Sequence, residues 1–314
     1  MRTVLQSLRN QHVPLSGHRP DLRDFKLIFP QIGVATERPD GVSYARLEWR
    51  LSFTDARSLK RSSRLFVSAS TDCFPSLSLG EALSRLVDLE FTAVEIAIRE
   101  NGRQLRPSQV AADLEKAVQS CRDTHRLTPC AFFLDIQTEN DAEYYRQFDA
   151  CCKLAKATKV VSITVPSAEL GTPFNAEIER LRKLVSMATL DGVLVSIKTE
   201  IGRMSQDPAT AVVLCDQVKG LGLTLDPSHY TTGQFGGANY QNCIKHVYHV
   251  QLGDATKEKL QVRVGQGEID YGKLTTQLSL VNYQRALCAL IPPQEGVDQV
   301  GELRKVRLLL ESLL

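Results

Sequence analysis

The chain has 314 residues, 43% of them hydrophobic and 24% charged, which is enough apolar material for a large buried core. A formal net charge of +2 argues against nucleic acid or an anionic membrane as the main partner, and no apolar run approaches the roughly 20 residues of a membrane-spanning helix. Eight cysteines lie scattered at positions 73, 121, 130, 151, 152, 215, 243 and 288, none in a C-x-x-C pair. That spacing argues against a zinc cluster and predicts reduced, mostly buried thiols in a cytoplasmic protein; the N-terminus also lacks an apolar signal core.

Residues 1–63 are rich in arginine and show no strand–helix rhythm, so they are expected to form a poorly structured, disordered N-terminal extension. From Leu65 the rhythm is regular. Leu65–Ala69 reads as a strand, and Ser78 caps a helix to Leu89, with Glu81 completing a capping box. Ala93–Ile98 is the second strand, and Pro107–His125 a helix with proline in its first turn. Ala131–Ile136, Val160–Val165 and Val193–Lys198 are the next strands, separated by helices over Asp141–Ala157 and Asn175–Thr189. A helix over Pro208–Val218 leads to the sixth strand, which Pro227 terminates after Asp226 because proline cannot donate to a ladder. A short helical piece over Tyr240–Lys245 precedes the strand Val247–Leu252. The helix Tyr271–Leu280, the strand Ala286–Ile291 and the helix Val297–Leu313 complete the chain.

Eight strands alternating with helices over about 250 residues predict a closed (β/α)8 barrel, an α/β fold filling residues 64–314. An open doubly wound sheet fits less well, since no G-x-G-x-x-G follows the first strand. In such a barrel polar residues at the C-terminal strand ends share one face. Glu200 follows strand five, Asp226 and His229 follow strand six, and His249 lies in strand seven. Two carboxylates and one or two imidazoles suit a divalent cation such as Mn²⁺, Mg²⁺, Co²⁺ or Zn²⁺. Each residue also has a plainer role open to it. Glu200 can be a solvated acid or a helix cap, and His249 a satisfied core histidine. Glu95 can pair with a neighbouring barrel residue, and Glu268 or Asp270 can cap the next helix.

Four segments carry a resemblance: Ser196–Glu200, Leu225–His229, His249–Asp254 and the glycine-rich Arg263–Asp270. From Leu65 onward the chain resembles the xylose isomerase-like barrels, the sugar phosphate isomerase/epimerase superfamily that also includes inosose dehydratase and endonuclease IV. The resemblance implies metal ligands at Glu200, Asp226 and His249. It also implies substrate contacts at His229 and Arg263, and a catalytic acid–base at Glu200. It departs at the last strand, where the family's usual glutamate is replaced by Leu290, so a bound metal would be short of one charged ligand.

The leading expectation is a metal-dependent isomerase, epimerase or dehydratase of a small sugar or polyol, moving a proton next to a carbonyl. The alternative is a catalytically impaired relative that binds a sugar or a protein partner. A phosphodiesterase like endonuclease IV needs many more ligands, and His125 is the only histidine between Leu65 and Val165. Substrate, metal and self-association into a homo-oligomer are left open.

Overall fold

The computed structural model describes residues 65–314, so the expected extension over 1–63 lies outside the described residues. Eight parallel strands close on themselves: β1 Phe66–Ser70, β2 Ala93–Arg99, β3 Thr128–Asp135, β4 Ser162–Pro166, β5 Leu194–Lys198, β6 Leu221–Leu225, β7 Val247–Leu252 and β8 Ala286–Ala289. Pairing of β1 with β8, in register from Phe66↔Ala286 to Ala69↔Ala289, shuts the barrel. Helices form the outer ring: α1 Leu79–Asp88, α2 Pro107–Ala112, α3 Leu114–Arg122, α4 Asp141–Thr158, α5 Phe174–Leu190, α6 Pro208–Gln217, the single turn α7 Ser228–Thr231, α8 Tyr271–Leu280 and α9 Gln299–Glu311.

Local signals set these boundaries. The Ser78–Glu81 capping box opens α1, and Asp270 caps α8 by accepting from the Lys273 amide. The helix expected over Pro107–His125 is broken in two. Asp113 leaves helical geometry (φ −147°, ψ 85°), and its side chain then caps α3 through the Lys116 amide. An aspartate that can bond its own downstream backbone offers the chain an alternative to continuing a helix.

The barrel has two chemically distinct layers. Outward-facing Val94, Ile96, Ile163, Val195, Ile197, Leu223 and Val250 are buried against Leu83, Leu86, Leu154, Leu181 and Leu303 of the helices. Each such side chain contributes about 1.5–3 kcal/mol. The inward face is instead polar. Thr164 of β4 and Ser196 of β5 each lie 2.7 Å from the hydroxyl of Thr224 on β6. Because β4 and β6 are not neighbours, the Thr164–Thr224 contact passes through the interior. The same holds for Glu95 of β2, which meets His249 and Gln251 of β7 across the barrel. Register shifts sit beside both partners, between Val94 and Glu95 and between Leu223 and Thr224. Such irregularities re-aim side chains.

All eight cysteines are free, and all but Cys130 are fully buried. Burial pushes the thiols of Cys121 and Cys215 up to about 12, which keeps them protonated and unreactive. Among the described residues no helix is long and apolar enough to cross a membrane.

Candidate active site at the C-terminal mouth of the barrel

Lys198 is the last residue of β5, and Asp226 is the first beyond β6. The Thr199 hydroxyl accepts the Asp226 amide at 2.8 Å and donates to the Asp226 carbonyl, tying the two strand ends together. The Asp226 carboxylate then faces three groups. Oδ1 accepts the Ser228 amide at 3.1 Å, while Oδ2 lies 3.5 Å from His229 Nε2 and 3.7 Å from Lys198 Nζ. All three side chains are at most a tenth exposed.

His229 is held in one tautomer. Its Nδ1 accepts the Ile201 amide at 3.1 Å, so the ring proton sits on Nε2 and points toward Asp226. Burial pulls its pKa below the ordinary value, which the Asp226 charge only partly offsets, and the imidazole is neutral at pH 7. Opposite this group, Arg99 at the end of β2 binds Asp72 at 2.6 Å and Asp135 at 3.2 Å. The Phe133 ring lies between the two sides, with the Arg99 guanidinium 4.3 Å and Lys198 Nζ 5.8 Å from its centre.

The structure brings Asp226 and His229 together, as expected from their spacing. It does not gather Glu200, Asp226 and His249 within one cation's reach. The His249 imidazole is committed deeper in the barrel, its Nε2 2.8 Å from Glu95. Glu200 lies in the loop after β5, about a third exposed, with Arg203 4.0 Å away. Arg263 is exposed on the glycine-rich loop. Asp254, 3% exposed, clasps that loop by accepting the amides of Ala255, Gly265 and Gly267. Gly267 is required there, since a Cβ would come 1.9 Å from Asp254 Oδ1.

Among the described residues the one set of three metal-capable side chains within mutual reach is Glu95, His249 and Cys288, all inside the barrel. At the mouth the donor set does not fit a divalent ion. An ion bound to Asp226 Oδ2 would meet the Lys198 ammonium. At about 4 Å and an effective dielectric of 20 that repulsion is roughly 8 kcal/mol. Leu290, just past β8, offers no lone pair in compensation. Leu290→Glu is therefore expected to leave Mn²⁺ affinity unchanged while Lys198 is present, as calorimetric titration would show.

Sequence reasoning missed Lys198, Gln251 and Asp254. Strand alternation carried the signal for Lys198, because it follows Ser196 at period two on the inward face.

A closed parallel barrel with charged side chains crowding its C-terminal mouth is the arrangement on which barrel enzymes place their sites. The chain belongs to the xylose isomerase-like TIM barrel family, whose model matches residues 83–307. Solved structures share the fold. A xylose isomerase-like TIM barrel protein from Mycobacterium smegmatis in complex with magnesium aligns at TM-score 0.64 and 13% identity, over 80% of this chain and 98% of its own. The 3-keto-D-glucoside 4-epimerase YcjR from E. coli gives 0.62 and 15%, over 79% and 100%. D-allulose 3-epimerase from Methylomonas sp. in complex with D-allulose gives 0.61 and 11%, over 80% and 98%. No curated protein sequence matches the chain.

Proposed function

We propose that the chain is a sugar isomerase- or epimerase-type enzyme that takes a small sugar or polyol at the C-terminal mouth of the barrel. The observation that carries this reading is the buried Lys198–Asp226–His229 group at the ends of β5 and β6, in a barrel of this family. Buried charge at a strand end costs stability even when paired, and such groups collect at functional sites. The Arg263 guanidinium donates to substrate oxygens, while His229 lines the same mouth with its single ring N–H turned toward Asp226. Asp226, already engaged by Ser228, Lys198 and His229, orients that group. Glu200 is free enough to remove the proton on the carbon beside the carbonyl and return it. No step runs through a metal ion, because the mouth does not fit one.

The reading is tested by incubating the protein with D-fructose or D-allulose in D₂O and following deuterium at the carbon beside the carbonyl by NMR. Exchange is expected with the wild-type chain and a loss of at least about 100-fold in Glu200→Gln. Binding of the ketose with no exchange would instead establish the second reading, a non-catalytic sugar binder. That reading is favoured by Leu290 and by the separation of His249 from Asp226.

A further inference from the structure

We infer that Lys198 is the resident cation of this site: its ammonium supplies, as part of the chain, the fixed positive charge that a divalent ion would bring beside Asp226. The inference rests on the proposed function for its chemistry, but its geometry stands alone. Nζ is buried at the end of β5, 3.7 Å from Asp226 Oδ2. That distance is close enough for charge balance but beyond hydrogen-bond reach, so the ammonium's donors remain available to a ligand. The Phe133 ring lies beneath it at 5.8 Å and keeps one side apolar. A low-dielectric wall strengthens the field of a charge held against it.

The chemistry follows directly. When Glu200 takes a proton from the carbon beside the carbonyl, the C–H electron pair moves into a carbon–carbon double bond. The carbonyl π pair then moves onto oxygen. Charge develops on that oxygen, and a fixed N–H donor aimed at it lowers the barrel's cost of forming the enediolate. The carboxylic acid then delivers the proton to the former carbonyl carbon, the enediolate oxygen takes the proton of the neighbouring hydroxyl, and that hydroxyl's oxygen becomes the new carbonyl, so no oxidant, reductant or ion is consumed. Asp226 acts as the counter-ion that holds Lys198 in place.

The test is metal binding without any sugar, which separates this inference from the proposed reaction. The probe is Mn²⁺ alone, titrated into the chelator-treated full chain by calorimetry and followed by thermal melting. The wild-type chain is expected to bind no Mn²⁺ below about 1 mM and to melt at the same temperature with or without EDTA. Lys198→Glu, which removes the ammonium and sets a second carboxylate beside Asp226, is expected to bind Mn²⁺ at least tenfold more tightly. Its melting temperature should rise by about 5 °C at a hundredfold excess of Mn²⁺ over Kd. Tight Mn²⁺ binding by the wild-type chain, or a folded Lys198→Glu variant with no gain, overturns the inference. Should Lys198→Glu fail to fold, Lys198→Gln decides. A Mn²⁺-dependent rise in melting temperature confined to the variant supports the inference, and equal behaviour of variant and wild type overturns it. Loss of deuterium exchange on ketoses alone would bear on the proposed function and leave this result standing.

Discussion

Glu95→Ala is expected to destabilise the barrel by about 3–5 kcal/mol, read from the urea unfolding midpoint. Glu95 is completely buried at the centre of the interior. One oxygen lies 2.8 Å from His249 Nε2, and both accept from Gln251 Nε2 at 2.9 Å. Truncating Glu95 strands an imidazole and an amide in a site where Gln251 Oε1 already has no partner. Replacing Glu95, His249 and Gln251 together by apolar residues of similar volume should recover most of the loss, because the desolvation cost then disappears with the charges.

The same variant should flatten the acid side of the stability profile. Burial pushes the Glu95 carboxyl up, but the close contact and charge of His249, with help from Gln251 and Ser70, outweigh it. The folded pKa therefore lies below the ordinary 4.5. A depressed folded value means the unfolded chain binds the proton first. The stabilisation from Glu95 is complete above pH 4.5 and drains away as pH falls through the folded value. Melting temperature measured between neutral pH and pH 3 should fall less steeply in Glu95→Ala than in the wild type. An unchanged slope would mean that the carboxylate is not held ionised by its partners.

Asp254→Ala should cost about 2–4 kcal/mol and free the glycine-rich loop, seen as faster amide hydrogen exchange at Gly265 and Gly267. One carboxylate holds three backbone amides there, at 2.8–3.1 Å. Bonds to a charged acceptor are about twice as strong as neutral ones. Gly267→Ala attacks the same clasp from the other side, since its Cβ and Asp254 Oδ1 cannot share the space. Both variants should weaken ketose binding through the loss of a fixed Arg263, with little effect on the core. Exchange rates at the two glycines that match the wild type would show that the loop is held by something else.

The barrel was legible because its signals are local. A capping box, a proline in a first turn and a β-branched run each act within a few residues, and Tyr271–Leu280 is a helix with the ends its pattern predicts. Asp226 and His229 were legible for the same reason, being three residues apart on one turn. His249 was assigned the wrong partner because depth along a strand is not written locally. It lies three residues before the end of β7, about 10 Å below the rim, and there it meets Glu95 from the far wall. Glu200, two residues past its own strand, stands on the other side of the rim. Lys198 was overlooked as a strand's last residue, although its period-two relation to Ser196 places it inside the mouth. Glu95 pairs inside the barrel, yet not with a neighbouring residue as its plainer role would have it: the partner lies on a non-adjacent strand, 154 positions away in the chain.

The polar lining has a consequence for how this sequence can drift. An apolar barrel interior accepts substitutions one at a time, each within the few kcal/mol that a folded protein can lose. Glu95, His249 and Gln251 instead form one electrostatic unit, so the first change in any of them leaves two orphaned polar groups and uses up much of that margin. Lineages can cross this valley only when the partners change nearly together, or after stability has accumulated elsewhere. The three positions should therefore vary as a block among close relatives, while the hydrophobic wall outside them varies freely.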